Sequence, residues 1–355
     1  MSTATTPPAS GARKIIIDTD PGIDDAMAIF YALASPELEV VGLTTVFGNA
    51  HTETCTVNAL RLLEIAGRSD IPVAAGARRP LATDFRGPAD FVHGVDGQGD
   101  AQLGAPTTAP IALDAAHFIV QQVMAAPGEI TLVPIGPLTN IALALLLEPD
   151  LAANMAGMVL MGGNAFCGGN ASPAAEANIL NDPEAADIVF GARCPIVMAG
   201  LDVTEATTMS ADELDRIGTV DNPRAQHLAK ILPFYRQFAI RSTGEDVIHV
   251  HDSTVISYLL APHHYTSVQH PIRVDCGHGV GRGTGSNPDV SVATGKTGND
   301  SALPFRFGGR TKEWQKSNRL AATVGRPSLG ASFNRYLCGS RSSLTFTVMK
   351  SLWRR

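Results

Sequence analysis

Fold and chemistry meet in Lys14-Ile-Ile-Ile-Asp-Thr-Asp-Pro-Gly-Ile-Asp-Asp-Ala-Met-Ala28. Residues 15–17 are a β-branched apolar run of strand type. Pro21-Gly22 forces a turn, after which Ala26, Met27, Phe30 and Leu33 recur at helical spacing. Asp18, Asp20, Asp24 and Asp25 therefore gather where a strand ends and a helix begins, the place where open α/β sheets bind ligands. Helix capping accounts for Asp24 or Asp25. It does not account for Asp20 beside them, because clustered like charges raise one another's pKa. A hard divalent cation removes that repulsion, and carboxylate oxygens without neighbouring Cys or His suit Ca²⁺ or Mg²⁺.

Outward from this stretch, strand and helix alternate. Residues 38–45, 71–75, 129–135, 158–161 and 194–201 read as strands, and residues 52–66, 113–124, 141–147, 184–190, 221–241 and 255–260 as helices. That alternation predicts an α/β fold with a single doubly wound, mainly parallel sheet. Residues 83–108 form a Gly-, Asp- and Pro-rich loop whose length suits a cover over a site. No internal repeat appears, and no domain boundary before about residue 277.

The 355 residues, 45% hydrophobic and 17% charged, suffice for one large core. Apolar stretches are too short to span a bilayer, so no membrane partner is expected. Residues 1–13, rich in Thr, Pro, Ser and Ala without an apolar segment, read as a disordered leader and not as a signal peptide. The five scattered cysteines lack a CxxC pair, which argues against disulfides or zinc and for a reducing cytoplasm. A net charge of −7 argues against nucleic acid as a partner. That charge is unevenly spread: from Ser301 onward there are eleven Lys or Arg against one acid, Glu313, so residues 284–355 read as a divergent basic tail.

The segments DTDPGIDD (18–25), VFGN (46–49), HGVDG (93–97), LVPIGPLTNIA (132–142), VLMGGN (159–164), GNASPAAEAN (169–178), NDPEAA (181–186), GLDVT (200–204) and HDSTVISY (251–258) resemble, in order, the motifs of the inosine-uridine preferring nucleoside hydrolases. The resemblance spans residues 14–283. It implies a Ca²⁺-dependent N-ribohydrolase that cleaves ribonucleosides to ribose and free base, with a calcium-bound water as nucleophile and a homodimeric or homotetrameric assembly. By position it assigns Asp20, Asp25, Asp252 and the carbonyl of Ile135 to the metal, with Asp20 also taking the proton of the water. Asp24, Asn49, Asn170, Glu176 and Asn178 fall to ribose binding, and Met161 packs near the sugar. His93 lies on the base side, and His251 donates a proton to the departing base if it is charged at neutral pH. Asp18 orients the other aspartates. His249 reads as an exposed strand residue.

Two features depart from the family pattern. Position 177, commonly aromatic, is Ala, and the family's closing strand and acidic helix are replaced after Gly283 by Gly-, Ser- and Arg-rich sequence. A catalytically impaired nucleoside-binding homologue is therefore one alternative. Another is a haloacid-dehalogenase-like phosphatase, since Asp18-Thr-Asp20 follows an apolar strand, although that chemistry needs a phosphate-holding Lys and does not suit Pro21-Gly22.

Overall fold

The computed structural model describes residues 11–286 and, as backbone, 334–340. Most of the basic tail, and residues 1–10 of the leader, lie outside the described residues. The first strand starts inside the expected leader: β1 is Arg13–Thr19.

The chain continues through α1 (Ile23–Ala34), β2 (Leu38–Thr45), α2 (Thr52–Ile65), β3 (Val73–Ala75), α3 (Asp90–His93), α4 (Ala115–Ala125), β4 (Ile130–Pro134), α5 (Thr139–Leu147) and α6 (Leu151–Asn154). Next come β5 (Gly157–Met161), α7 (Ala177–Asn181), α8 (Pro183–Phe190), β6 (Ile196–Ala199), α9 (Leu201–Thr204) and the short antiparallel pair β7 (Thr208–Ser210) and β8 (Val247–His249). Between β7 and β8 run α10 (Ala211–Ile217) and α11 (Pro223–Thr243). Then follow α12 (Ser253–Leu260), β9 (Tyr265–His270), β10 (Arg273–Val274), β11 (Gly285–Ser286) and β12 (Asn334–Ser340).

The main sheet has the order β3-β2-β1-β4-β5-β6-β12-β9. Strands β3 to β6 are parallel, as expected, and β12 extends them in parallel beside β6 before β9 closes the edge antiparallel. The tail that read as divergent and basic thus supplies a sheet strand.

Apolar residues cover both faces of the sheet. Ile15 and Ile17 of β1 join a core with α1, α2, α11 and α12, whereas Ile16 joins the core on the other face with α4, α5 and α8. A strand buried on both faces has no polar side to alternate with, which is why 15–17 is continuously apolar. Each such isoleucine contributes about 1.5–3 kcal/mol of transfer free energy.

The chain turns in opposite directions on the two sides of β1, toward β2 and toward β4. The crevice outside the carboxyl ends of β1 and β4 is the topological switch point. Register places Asp18 between Thr44 and Pro134 there, and the Ile135 N–H donates to the Asp18 carbonyl at 2.8 Å.

Candidate active site

The turn after β1 is built around Asp25. Its carboxylate accepts from Thr19 Oγ1 (2.5 Å), from the Gly22 N–H (2.9 Å) and from Asn49 Nδ2 (2.9 Å). At the third position of α1 it thus reaches back to the residue before the helix, satisfying a donor the helix leaves open. His93, at the end of α3, satisfies a second: its Nδ1 accepts from the Ile23 N–H at 3.2 Å. From the long loop of residues 83–108, His93 and the fully buried Gln98 reach the turn before α1. A Cβ on Gly22 would stand 2.7 Å from both Asn49 Nδ2 and His93 Nδ1, so only glycine lets these three groups converge.

Asp20 is seated by two more glycines. Its Oδ2 accepts from the Asn49 N–H at 2.7 Å. A Cβ on Gly48 would fall 2.0 Å from Oδ2, and one on Gly136 would fall 2.4 Å from Oδ1. That Oδ1 is buried and has no hydrogen-bond partner among the described residues, and the same holds for Asp24 Oδ1 and Asp18 Oδ2.

Asp252 arrives from the far end of the chain. Ligand oxygens of Asp24, Asp25 and Asp252 lie within 4.8 Å of one another, all three residues being buried. Burial pushes every carboxyl here upward, Asp24 to about 8 and Asp18 to about 7. For Asp252, burial is reinforced by Asp24, Asp25, Asp20 and Glu176, charges of one sign. Orphaned carboxylate oxygens packed against like charges form the donor set of a hard cation. The residues fit such an ion. This trio takes in Asp24, expected on the ribose, and does not include Asp20.

Around this trio the other expected residues fall at several depths. Asn178 Nδ2 donates to the carbonyls of Ile135 (3.1 Å) and Met161 (3.2 Å), tying the ends of β4 and β5 together. The Glu176 carboxylate accepts from the N–H groups of Gly163 (2.8 Å), Asn178 (2.9 Å) and Ile179 (3.1 Å). Asn170 stands apart: it is exposed, and its Oδ1 accepts from the Ala177 N–H at 3.0 Å. Asp18 accepts from Thr44 Oγ1 (2.5 Å) and Asn140 Nδ2 (2.8 Å), below the cluster.

The two histidines assigned to the base side share one electrostatic feature, an imidazole lowered by burial. Proton donation by His251 was conditional on its being charged at neutral pH, and burial, with His249 and His93 nearby, pushes its imidazole down to about 3. It is a neutral ring at pH 7, held by Thr204 Oγ1 at 2.9 Å from Nδ1. Burial likewise lowers His93 to about 3. His249 lies on a strand as read, but it is partly buried, bonds the Glu205 carbonyl through Nδ1 (3.0 Å) and stacks on His251 at 5.6 Å.

Sequence reasoning passed over three residues that shape the site. Thr19 holds Asp25. Asn140 joins Asp18, the Thr45 carbonyl (3.0 Å) and the Ala77 N–H (2.8 Å), a role hinted at only by its place in GPLTN. Tyr235, inside α11, stacks on His93 at 5.7 Å, and no motif marks it.

A parallel α/β sheet with a cluster of buried carboxylates at its switch point has the layout of an α/β enzyme with its site outside the carboxyl ends of the strands. The chain belongs to the inosine-uridine preferring nucleoside hydrolase family, whose profile matches residues 15–304, somewhat beyond the 14–283 expected from motifs. It is 46% identical over 272 residues to probable uridine nucleosidase 2 of Arabidopsis thaliana, covering 76% of this chain and 84% of that protein. It is 44% identical over 258 residues to the pyrimidine-specific ribonucleoside hydrolase RihA of Shewanella woodyi, covering 72% and 82%. Among solved structures it resembles the plant nucleoside hydrolase PpNRh1 with a TM-score of 0.83 and 34% identity, over 97% of this chain and 99% of that one. The protein is accordingly a nucleoside hydrolase. No helix among the described residues is long and apolar enough to cross a membrane.

Proposed function

We propose that this protein hydrolyses the N-glycosidic bond of pyrimidine ribonucleosides, uridine foremost, to ribose and free base, with Ca²⁺ as its resident ion. The observation that carries the reading is the convergence of Asp24, Asp25 and Asp252 within 4.8 Å in a buried, uniformly acidic pocket. Its pyrimidine side rests on the names of the relatives, the Arabidopsis uridine nucleosidase and the RihA enzyme.

Asp25 and Asp252, with Asp20, Asp24 and the Ile135 carbonyl beside them, would hold the ion. When bound, such an ion orients and polarises a water and the sugar hydroxyls. Asp20 has one oxygen pinned by the Asn49 N–H and the other without a partner, which suits it to accept the proton of the attacking water. The buried Glu176 and Asn178 and the half-buried Asn49 offer the sugar a polar wall whose geometry is held by backbone bonds. Met161 borders it, and Asn170 could reach it only from the exposed loop. The bond breaks toward an oxocarbenium-like state, so hydroxyl contacts that tighten as the ring flattens lower the barrier. His93 and His251, both neutral, face the departing base as hydrogen-bond donors or acceptors rather than as cations. A homodimer or homotetramer and a cytoplasmic setting complete the reading, on the family resemblance and the free thiols of Cys55, Cys167, Cys194 and Cys276.

The impaired-homologue and phosphatase alternatives are not favoured, since the relatives are named as hydrolases of nucleosides. A panel of nucleosides assayed for reducing sugar, with and without a chelator, tests the reading. Ribose release from uridine that stops on chelation and returns with Ca²⁺ is expected. Chelator-resistant turnover, or phosphate release from phosphomonoesters alone, would overturn it.

A further inference from the structure

We infer that the hairpin of residues 273–285 is a brace that sets the position of the ribose-binding turn at residues 176–178, with Gly283 and Thr284 as positioning residues. The inference deepens the proposed function and rests on its assignment of Glu176 to the sugar.

The base of the brace is fastened to α8. Arg273 pairs with Asp187, whose Oδ1 also accepts from the Val274 N–H at 3.1 Å. One turn earlier on the same helix, Glu184 receives the buried Arg282 at 2.7 Å, and the other guanidinium arm donates to the Cys276 carbonyl at 2.6 Å. Backbone bonds close the hairpin, from the Asp275 N–H to the Thr284 carbonyl (3.0 Å) and from the Gly283 N–H to the Asp275 carbonyl (2.8 Å).

Its returning arm bears on the turn at both ends. Thr284 Oγ1 donates to the Ala174 carbonyl at 3.1 Å. A Cβ on Gly283 would lie 3.1 Å from Ala175 Cβ and 3.1 Å from Leu180 Cα, so the two backbones are in close contact there. Gly283 also has φ +82°, a conformation that a side chain disfavours.

The Glu176 carboxylate between these contacts is bonded to backbone N–H groups, those of Gly163, Asn178 and Ile179. Its position therefore follows the backbone of its own turn, and that backbone is braced from behind by the hairpin. Sites that bind a sugar in one pucker need their groups held to within about 0.5 Å, and small displacements far from the chemistry are costly.

The test uses the full-length protein. Thr284→Val removes the hydroxyl at nearly constant volume, Thr284→Ser keeps it, and Gly283→Ala pushes on the turn. Each is assayed on uridine and on its 2′-, 3′- and 5′-deoxy analogues, beside Glu176→Gln. Thr284→Val and Gly283→Ala are expected to raise KM for uridine about fivefold, the size of one net hydrogen bond. They should narrow the preference for uridine over at least one deoxy analogue, with Tm within about 2 °C of wild type for Thr284→Val and a few degrees lower for Gly283→Ala, whose methyl is strained at φ +82°, and Thr284→Ser should behave as wild type. Unchanged KM in both hairpin variants, with Glu176→Gln impaired, would overturn the brace and leave the site reading intact. An equal loss on uridine and all analogues with a lowered Tm would reduce the hairpin to a structural element and also overturn it. A silent Glu176→Gln would remove the ribose assignment itself and the brace with it.

Discussion

Asp252 stands immediately before α12 yet gives that helix no side-chain cap, which leaves its carboxylate to the pocket. Its neighbours Asp24, Asp25 and Asp20 all raise its pKa, so without a cation the cluster strains the fold. Asp252→Asn should therefore stabilise the chelated protein by a few kcal/mol, since one like-charge pair about 4 Å apart repels by about 4 kcal/mol at an effective protein dielectric near 20. The same change should abolish the rise in Tm that Ca²⁺ gives the wild type. A thermal melt with and without chelator reads both effects, and a variant that melts like the wild type in both conditions would contradict the assignment. His251 belongs to the same scale. A neutral ring bonded to Thr204 can still donate to the departing base from Nε2 when Thr204 supplies the hydrogen to Nδ1. His251→Ala should slow uridine by about 10²-fold or more, and should slow a nitrophenyl riboside far less, because that leaving group needs no proton. Equal losses on the two substrates would take leaving-group assistance away from His251. The aspartates were legible because four carboxylates within eight residues have few structural uses. The protonation of His251 was not, since it depends on how much water reaches the ring.

Between elements, Gln98 links the loop before α4 to both α1 and α11. It is fully buried, its Nε2 donates to the Gly22 carbonyl at 2.7 Å, and its Oε1 meets His227 Nε2 at 2.9 Å. Helix α11, which carries Tyr235 against His93, is thereby tied to the turn that carries Asp24 and Asp25. Burial, with Arg61 and Lys230 nearby, pushes the His227 imidazole down to about 4. In the unfolded chain His227 takes up its proton near pH 6.5, so between that pH and about 4 the unfolded state binds more protons. The neutral ring's contribution is thus complete above about pH 6.5 and is lost as pH falls toward 4. His227→Gln should flatten the decline of Tm over that window relative to wild type, as followed by circular dichroism melts at a series of pH values. Parallel curves would mean that the tether carries no pH dependence. The elements themselves were largely readable: β2 has the bounds its alternation suggested, and α2 ends one residue early. The one-turn helix α3 was hidden inside a Gly- and Asp-rich loop, because its four residues hold shape through His93 and α11 rather than through any periodicity of their own.

Across the whole molecule the sheet is extended beyond β6 by a strand far along the chain. β12 pairs with β6 in parallel and with β9 antiparallel, so among the described residues β9 joins the sheet only through it. Truncation at Asp300 removes β12, leaves β6 as an open edge and strips β9 of its partner, an arrangement prone to edge-to-edge association. The truncated protein is expected to melt several degrees lower and to aggregate in light scattering. An unchanged Tm and a monodisperse solution would show that the strand adds nothing to the core. By itself the sequence determined the strand–helix alternation, the doubly apolar central strand and the acidic turn at its end, because periodicity and turn chemistry act over neighbouring residues. Only the tertiary structure decided that Asp252 meets Asp24 and Asp25, that Asn178 fastens β4 to β5, that residues 334–340 enter the sheet, and that buried histidines stay neutral. These depend on contacts between segments that are not neighbours in the sequence and on the exclusion of water from the space they enclose, and neither is encoded in local spacing.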